Sequence, residues 1–224
     1  MVDLSLVKPK DLWYVVGLIA TDGNLSKDGR HISIVSKDNK FLRKVRKALL
    51  LKNKIGFKAN GIHPEKIYFV LQIGDKKFFN FLLSIGLIPK KSLILDKLSV
   101  PKNYFTDFLR GVIDGDGTIV SWVHKSNGNK QWSVRIYSAA SKFVHWLKNE
   151  TEKIYRVSGK IYGYKHGGRK NTYYQIKFGK FASKVILEKC YYDKCLAIDR
   201  KYNKAIQCLK SKDGLSKYGT VVQN

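Results

Sequence analysis

Long apolar stretches are missing from this 224-residue sequence, and no run approaches the ~18 consecutive apolar residues that a membrane-spanning helix needs. The first residues, Met1 to Leu4, do not resemble a signal peptide. We therefore expect a soluble, intracellular protein with no membrane partner. The sequence leaves open whether it works in a prokaryotic cytoplasm or in an organelle.

Cysteine is also scarce. Cys190, Cys195 and Cys208 are odd in number, lie late in the chain and include no second pair at a zinc-like spacing. We expect reduced thiols that are partly buried on helices, in keeping with a reducing compartment.

Acidic residues are the third shortage: 17 Asp and Glu stand against 43 Lys and Arg, a formal net charge of +26. This excess is far beyond what solubility requires and indicates a polyanionic partner. The basic residues occur in both halves and alternate with Tyr and Trp on strand-like stretches, which favours a folded basic surface over a basic tail. With 44% hydrophobic residues, the chain can bury one sizeable core or two small joined ones.

The most informative feature is a repeat: residues 15–23 recur in altered form as residues 109–117. Each copy is an apolar, helix-length run with two small residues four positions apart. These helix-packing residues are Gly17 with Thr21, and Gly111 with Gly115. Positions i and i+4 lie one above the other on a helix, and small side chains let two helix backbones approach closely. We predict that the two helices pack on each other.

Each copy ends in an acid followed by glycine, Asp22-Gly23 and Asp116-Gly117. We expect these glycines to end the helices in the left-handed conformation. A carboxylate on the last helical turn is disfavoured by the helix dipole and needs a compensating cation. If the helices pack in parallel, both acids reach one end together and form a pair suited to a divalent metal ion.

The two stretches resemble the signature of the LAGLIDADG homing endonucleases in their single-chain form with two motifs. The matching residues are Gly17, Leu18, Ile19, Asp22 and Gly23 in the first copy, and Leu109, Gly111, Ile113, Asp114, Asp116 and Gly117 in the second. Ala20 departs from the motif by replacing its first acid, and Arg110 replaces a small residue. The resemblance implies that the last acid of each motif binds metal, so Ala20 leaves activity possible.

The duplication extends beyond the motif, with residues 36–42, 68–74 and 91–93 paralleling residues 138–144, 173–179 and 194–196. Periodicity predicts the order αββαββα in each half. We therefore predict an α+β fold with pseudo-twofold tandem repeats. Its two antiparallel sheets form a DNA-binding saddle, with the motif helices packed at the centre. The expected boundaries are residues 1–98 for the first repeat, 99–105 for the connection, 106–210 for the second repeat and 211–224 for a polar tail.

A two-stranded β-ribbon fits the major groove of DNA, so the polar, basic and aromatic residues of the predicted strands are candidate duplex contacts. A solvated strand face explains any one of them alone, but not their excess over acids. The candidates are Arg30, His31, Lys58, Lys125, Lys130, Arg135, Tyr137, Lys160, Tyr162, Tyr164, Lys165, Arg169, Lys170, Gln175 and Lys177.

Phosphodiester hydrolysis needs a metal ion, an activated water and a positive group for the developing charge. Asp22 and Asp116 are the predicted catalytic metal ligands for Mg²⁺ (or Mn²⁺), with Thr21 and Gly115 in the same metal site. The resemblance adds basic residues as catalytic candidates by position. These are Lys37, Lys91 (or its neighbour Lys90) and Lys194, and each is equally well explained as a phosphate clamp.

The leading hypothesis is a monomeric, metal-dependent endonuclease that acts as a pseudo-dimer and breaks both strands of a long, asymmetric duplex DNA site. The resemblance implies cleavage across the minor groove with short 3′ overhangs, and a role in intron homing. One alternative is an RNA-binding maturase that contacts its own intron RNA on the same scaffold. Another is a catalytically inactive DNA-binding regulator. Because Ala139 stands where the first half has Lys37, we also hypothesise unequal cleavage of the two strands.

Overall fold

The computed structural model describes residues 2–59, 67–165 and 171–211. Arg169 and Lys170, two of the predicted DNA contacts, lie outside these ranges, as does nearly all of the predicted polar tail. In the ranges that are described, no helix is both long enough and apolar enough to cross a membrane.

Two tandem repeats with the predicted order αββαββα build the chain. The first consists of α1 (Pro9–Thr21), β1 (Gly23–Leu25), β2 (His31–Ser36), α2 (Asn39–Ala48), β3 (Gly56–Ala59), β4 (Ile67–Gly74) and α3 (Lys76–Ser84). A 3₁₀ turn at Lys102–Tyr104 leads into the second repeat. This consists of α4 (Phe105–Asp116), β5 (Gly117–Val123), β6 (Lys130–Ser138), α5 (Ser141–Tyr155), β7 (Gly159–Lys165), β8 (Thr172–Phe178) and α6 (Lys180–Cys190). The repeat prediction is confirmed.

A further helix, α7 (Asp199–Lys210), follows the second repeat and was not predicted. Its buried residues are Lys201, Ala205 and Cys208. A helix is recognised in a sequence by a continuous apolar stripe, and here a lysine opens that stripe while small residues complete it. The buried residues keep helical spacing, so what obscured this helix is the charged residue on its buried stripe.

Each repeat folds its strands into one antiparallel four-stranded sheet, in the orders β1-β2-β4-β3 and β5-β6-β8-β7. In β2, Ile32 and Ile34 are buried, whereas His31, Ser33 and Val35 lie on the opposite side. In the second sheet, Ile176 and Phe178 of β8 are buried, and Tyr173 and Lys177 lie on the opposite side. Each sheet thus has one face against the helices and one open face. We call the two open faces together the saddle.

The motif helices α1 and α4 form the centre of the core. A Cβ atom built on Gly17 would lie 2.1 Å from the carbonyl oxygen of Phe108. One built on Gly111 would lie 2.0 Å from the carbonyl oxygen of Tyr14. Backbone meets backbone at both places, so only glycine fits, and the predicted central packing of the two helices is confirmed.

Candidate active site

The carboxylates of Asp22 and Asp116 lie where the two motif helices end. Asp22 is the C-terminal cap of α1, and Asp116 is the last residue of α4. A Cβ atom on Gly115 would lie 1.9 Å from Thr21 Oγ1 and 3.5 Å from Asp22 Oδ2, so the helices run in parallel and finish together. Both aspartates reach solvent at this end, although the surrounding protein removes part of the hydration of their carboxyl groups. The structure thus presents two neighbouring acids to whatever occupies the saddle.

The glycines after the two acids correct one expectation. Gly117 has φ −92° and ψ 167°, which is extended backbone rather than the left-handed conformation, and it begins β5 as Gly23 begins β1. A Cβ atom on either glycine would lie 2.6 Å from the Cα atom of Ile19 or Ile113. Glycine is needed here because the departing strand folds back tightly on its own helix.

The environment of the acids disfavours their charge. Burial raises the pKa of Asp116 to about 6, and the negative charge of Asp22 adds to that rise. Burial also raises the pKa of Asp22, against which the cations Lys201, Lys91 and Arg200 act. Two carboxylates that repel each other are a receptor for a shared cation, since an ion between them relieves the repulsion.

We expect the metal-free protein to show the titration of Asp116 near pH 6 in a carboxyl carbon NMR experiment. The Asp22→Asn variant should shift the pKa of Asp116 downward, because the neighbouring negative charge is removed. An unchanged pKa in that variant would show that the two carboxyl groups do not interact.

The raised pKa has a defined effect on stability. The folded-state pKa of Asp116 lies above the ordinary value of 3.8, so this group favours the folded state fully below that value. The contribution is lost as the pH rises through about 6. Below that pH, protons compete with metal, and the affinity for a divalent ion should fall.

Two buried lysines approach the acids, and one of them, Lys201, was missed by sequence reasoning. Its ammonium group donates hydrogen bonds to the carbonyl oxygens of Ile113 at 2.6 Å, Asp114 at 2.6 Å and Gly117 at 2.8 Å. It also reaches Gly115 O at 3.1 Å. These carbonyls form the C-terminal end of α4, where the helix dipole is negative. Lys201 therefore supplies the compensating cation that the sequence argument required.

Lys91, the predicted catalytic lysine of the first repeat, has a matching position. It is buried, and its ammonium group donates a hydrogen bond to the carbonyl oxygen of Gly23. Lys201 bonds in the same way to Gly117, the counterpart of Gly23 in the second repeat. Lys201 is thus the spatial counterpart of Lys91. Burial lowers the pKa of both lysines, to about 8 for Lys201, while the aspartates raise it.

Lys194 had been predicted as a catalytic lysine near the acids, and the structure corrects this prediction. Its side chain is 91% exposed. It lines a surface cavity with Lys8 and Asp11, which lie at the start of α1, whereas Asp22 lies at the end of the same helix. The backbone at both Lys194 and Lys90 has the left-handed conformation, with φ of 58° and 55°. Lys194 therefore corresponds to Lys90 rather than to Lys91. The sequence alignment of the two repeats was displaced by one residue here.

The surroundings of the two acids differ. A cavity of about 330 Å³ beside Asp22 is lined by Lys37, Tyr68 and Arg200, among others. The Lys37 ammonium group lies 5.4 Å from the centre of the Tyr68 ring. The site of Asp116 has a smaller cavity of about 100 Å³, lined by Ser138, Ala139, Tyr173, Lys91 and Thr21. Ala139 leaves the second site without a cation at the position of Lys37.

The oxygen donors of the two acids fit a magnesium-like ion. Among the residues that the structure describes, no three or more His, Cys, Asp or Glu side chains lie together so that they could hold a metal ion. Mg²⁺ commonly needs only one or two carboxylates, because water and substrate phosphate complete its shell. The other predicted ligands are already engaged, since the Thr21 hydroxyl donates within its own helix and Gly115 O accepts from Lys201. Asp22 and Asp116 are therefore the residues that would hold the ion.

Most of the predicted DNA contacts that the structure describes share the open faces of the sheets. Cross-strand partners place Lys58 beside Tyr68, Arg135 beside Lys177, and Tyr164 beside Tyr173 on this side. None of the described strands β1 to β8 contains Asp or Glu. The predicted residues at open-face positions are His31, Lys58, Arg135, Tyr137, Lys160, Tyr162, Tyr164, Gln175 and Lys177.

The remaining described candidates lie elsewhere. Lys130 extends over the ring of Trp132, and Lys204 of α7 contacts the same ring, so Lys130 belongs to the helix side of its sheet. Lys165 alternates with Tyr164 and has the same orientation as Lys130. The prediction that Lys130 and Lys165 contact DNA is corrected, because both alternate with the open-face residues of their strands and so lie on the helix side of the sheet. Arg30 and Lys125 lie in hairpin turns at the sheet margins.

The described open face of the second sheet carries more aromatic side chains than that of the first. Gln175 donates to the Tyr137 hydroxyl at 2.7 Å and accepts from the Tyr164 hydroxyl at 3.4 Å, and only 6% of it is exposed. The guanidinium group of Arg135 lies 5.8 Å from the centre of the Trp122 ring. These contacts fix side-chain orientation before any ligand binds, which lowers the entropy lost on binding.

The two motif helices are parallel, touch along their glycines and each end in one acid. Together with the two four-stranded sheets they form the two-repeat LAGLIDADG fold. The model of the family described as LAGLIDADG-like domain matches residues 9–86, the first of the two repeats. The resemblance first drawn from the two motifs is confirmed at the level of this domain and of the fold.

Solved structures agree over most of the chain. The homing endonuclease I-WcaI bound to its DNA recognition sequence has a TM-score of 0.63 at 12% identity, covering 89% of this chain and 87% of that one. I-DmoI in complex with DNA and Ca has a TM-score of 0.53 at 15% identity, covering 85% and 93%. At these identities the likeness establishes the fold.

A different protein has the same fold. Full-length DUF199/WhiA from Thermatoga maritima has a TM-score of 0.55 at 14% identity and covers 93% of this chain. The chain in turn spans 63% of the length of that protein. No curated protein sequence matches the chain.

Proposed function

We propose that this chain is a divalent-metal-dependent DNA endonuclease that recognises a long, asymmetric duplex site and breaks both of its strands. One observation carries the proposal: two exposed carboxylates meet at the end of paired helices, beside a saddle whose described strands contain no acid. An acid pair on a surface built for a polyanion is suited to hold a metal ion against a phosphate.

In this mechanism the saddle holds the duplex through phosphate and base-edge contacts, mostly to phosphate. Asp22 and Asp116 would hold Mg²⁺ or Mn²⁺, which when bound supplies polarisation of the phosphate and stabilisation of the leaving oxygen. Lys91 and Lys201 place positive charge beside the acids, where it offsets their repulsion. Arg200 and Lys37, which line the cavity beside Asp22, are directed to the negative charge that develops on the phosphate.

The finer features follow the relatives of the same fold and are proposals as well. I-WcaI and I-DmoI are homing endonucleases bound to DNA, and the latter complex contains Ca. For this chain we infer action as a single-chain pseudo-dimer across the minor groove, with short 3′ overhangs and a role in intron homing. The duplicated but unequal repeats support an asymmetric target.

A DNA-binding regulator is the second candidate, and two observations favour it. WhiA shares the fold and is not described as an endonuclease. Lys201 already bonds the carbonyl oxygens of Gly115 and Gly117 on either side of Asp116, which partly neutralises the site without metal. None of the structures named above is described with RNA, so the maturase alternative remains a prediction.

Selection from a random-site duplex library tests the two candidates. The full chain is incubated with the library once with magnesium and once with a chelator. We expect bound sequences under both conditions and cut products only with magnesium, and the consensus of the products gives the site. Bound sequences without cut products would favour the regulator.

The unequal surroundings of the acids predict unequal cutting. Lys37 faces the Asp22 site, and Ala139 occupies the equivalent place in the Asp116 site. Lys37→Ala should slow cleavage of one strand about 10-fold or more and accumulate a nicked product, because one site loses a charge that stabilises the transition state. Nicking kinetics on supercoiled DNA measure this. Equal slowing of both strands would assign Lys37 to DNA binding.

A further inference from the structure

Helix α4 also packs against residues 190–198, and three charged residues on α4, Asp107, Arg110 and Asp114, are buried there. Asp107 pairs with the Arg110 guanidinium group at 2.9 Å and accepts a hydrogen bond from the Tyr192 hydroxyl at 2.7 Å. Arg110 is fully buried and donates from Nε to Leu196 O and from Nη1 to Cys190 O, each at 2.9 Å. Its guanidinium group lies between two rings, 5.1 Å from the centre of Tyr14 and 4.9 Å from that of Tyr192. The residue that departs from the family motif thus leaves the glycine contact intact and binds the end of α6 and the chain that follows it.

Asp114 is 1% exposed and accepts hydrogen bonds only from uncharged donors. The Tyr14 and Tyr191 hydroxyls each donate at 2.7 Å, and the Ile198 backbone N–H donates at 2.8 Å. Burying a carboxylate is costly, and such costs are met by saturating its oxygens with donors. The bond from Ile198 fixes the residue immediately before α7, which has no side-chain cap of its own.

Together the hydrogen bonds of Arg110 and Asp114 hold the segment of residues 190–198 at four residues, Cys190, Tyr191, Leu196 and Ile198. Asp199, Arg200 and Lys201 follow at once as the first turn of α7. Asp114 therefore bonds α7 twice, with its carboxylate at Ile198 and with its own backbone carbonyl at the Lys201 ammonium group. A shift of this segment would move the lysine away from the acids.

The first repeat contains no such pair. The positions equivalent to Arg110 and Asp114, 94 residues earlier, are Val16 and Ala20, and both are buried in the core. Lys91 is carried by a turn near the buried residue Leu95. The backbone of Lys91 is held within its own turn, where the Ile94 and Leu95 N–H groups donate to the Lys91 carbonyl oxygen, whereas the segment that leads to Lys201 is held by buried charged side chains.

We propose that Arg110 and Asp114 are positioning residues that hold residues 190–198 so that α7 presents Lys201, and with it Arg200, to Asp22 and Asp116. The consequence for cleavage rests on the proposed endonuclease function. The placement of Lys201 itself does not, and it can be measured in a protein without activity.

The test uses the full chain with ¹⁵N-labelled lysine. In the wild type, the buried and hydrogen-bonded Lys201 ammonium group should give a slowly exchanging ¹⁵N resonance, assigned by its loss in Lys201→Met. In Asp114→Asn this resonance should broaden or shift, because an amide nitrogen cannot accept from Ile198 N–H or a tyrosine hydroxyl. The matched control is Ser183→Ala, which removes a buried hydroxyl bonded to Val134 N at 2.8 Å and should leave the resonance in place.

The kinetic measurement separates positioning from general damage. Asp114→Asn should lower the single-turnover cleavage rate about 10–100-fold with DNA affinity within a factor of about three, as expected for a misplaced group. Tyr191→Phe keeps the Asp114 carboxylate and removes one of its donors, so it should give the same changes on a smaller scale. This variant replaces Asp114→Asn in the test if Asp114→Asn does not fold. An unperturbed Lys201 resonance in either folded variant would overturn the proposal. A wild type that cuts no DNA but loses the resonance in Asp114→Asn would overturn only the proposed function.

Discussion

Replacing Asp22 or Asp116 by asparagine is expected to lower the single-turnover rate of DNA cleavage by about 10²–10³-fold or more, while DNA affinity changes little. Asparagine keeps the size of the side chain but removes the charge that would hold the metal ion. Each substitution also relieves the repulsion between the acids, so neither should weaken the fold. The measurements are rapid-quench cleavage, fluorescence anisotropy for binding and urea denaturation for stability.

Asp193→Asn is the matched control, because Asp193 is 84% exposed and lies beside Lys194, away from the acid pair. Its cleavage rate should equal that of the wild type. If Asp22→Asn cleaved DNA at the wild-type rate, the acid pair would have no part in the reaction. Joint loss of binding and folding in both variants would assign the acids a purely structural role.

The second large effect concerns the helix contact. Gly111→Ala should destabilise the protein by about 3 kcal/mol or more, at the upper end of the cost of overpacking. The added Cβ would lie 2.0 Å from Tyr14 O and 2.9 Å from Leu18 N, and neither backbone atom can move without displacing α1. Gly17→Ala should lower the unfolding free energy by a similar amount, and replacement of either glycine by leucine should lower it further. Urea denaturation of the purified variants gives the change in unfolding free energy.

Gly56→Ala controls for the general effect of replacing glycine, since the nearest atom to its added Cβ is Val70 O at an ordinary 3.9 Å. Its stability should stay within about 1 kcal/mol of the wild type, the usual range for such a change. If Gly111→Ala were as mild as Gly56→Ala, the two helices would not be in backbone contact.

The parts of the fold that sequence reasoning recovered are those with strong local patterns. The helix stripe at Gly17 and Gly111 and the alternation of Ile32 and Ile34 with polar residues are visible within a few positions. Repetition then doubled the evidence, because the same order of elements appeared in both halves. The acid pair followed from geometry alone once the two helices were taken as parallel.

The parts that were missed depend on contacts between distant positions. Arg110 looked like an imperfection in its motif because its partners, Cys190 and Leu196, lie 80 and 86 residues away. Lys201 is a charged residue on the buried stripe of its helix, where an apolar residue is expected, and the alignment of the two repeats assigned its role to Lys194. The sequence contained one signal: two acids at helix ends require compensating cations, so a second buried lysine could be expected. The structure shows that this lysine is Lys201.

We propose that Asp22 and Asp116 share one divalent ion beneath the saddle. Titration of Mn²⁺ into the chain bound to a non-target duplex, followed by electron paramagnetic resonance of the free ion, tests it most directly. We predict an ion bound by the wild type that is lost equally in Asp22→Asn and in Asp116→Asn, and retained in Asp193→Asn. Full Mn²⁺ binding in either aspartate variant of the pair would contradict a shared site.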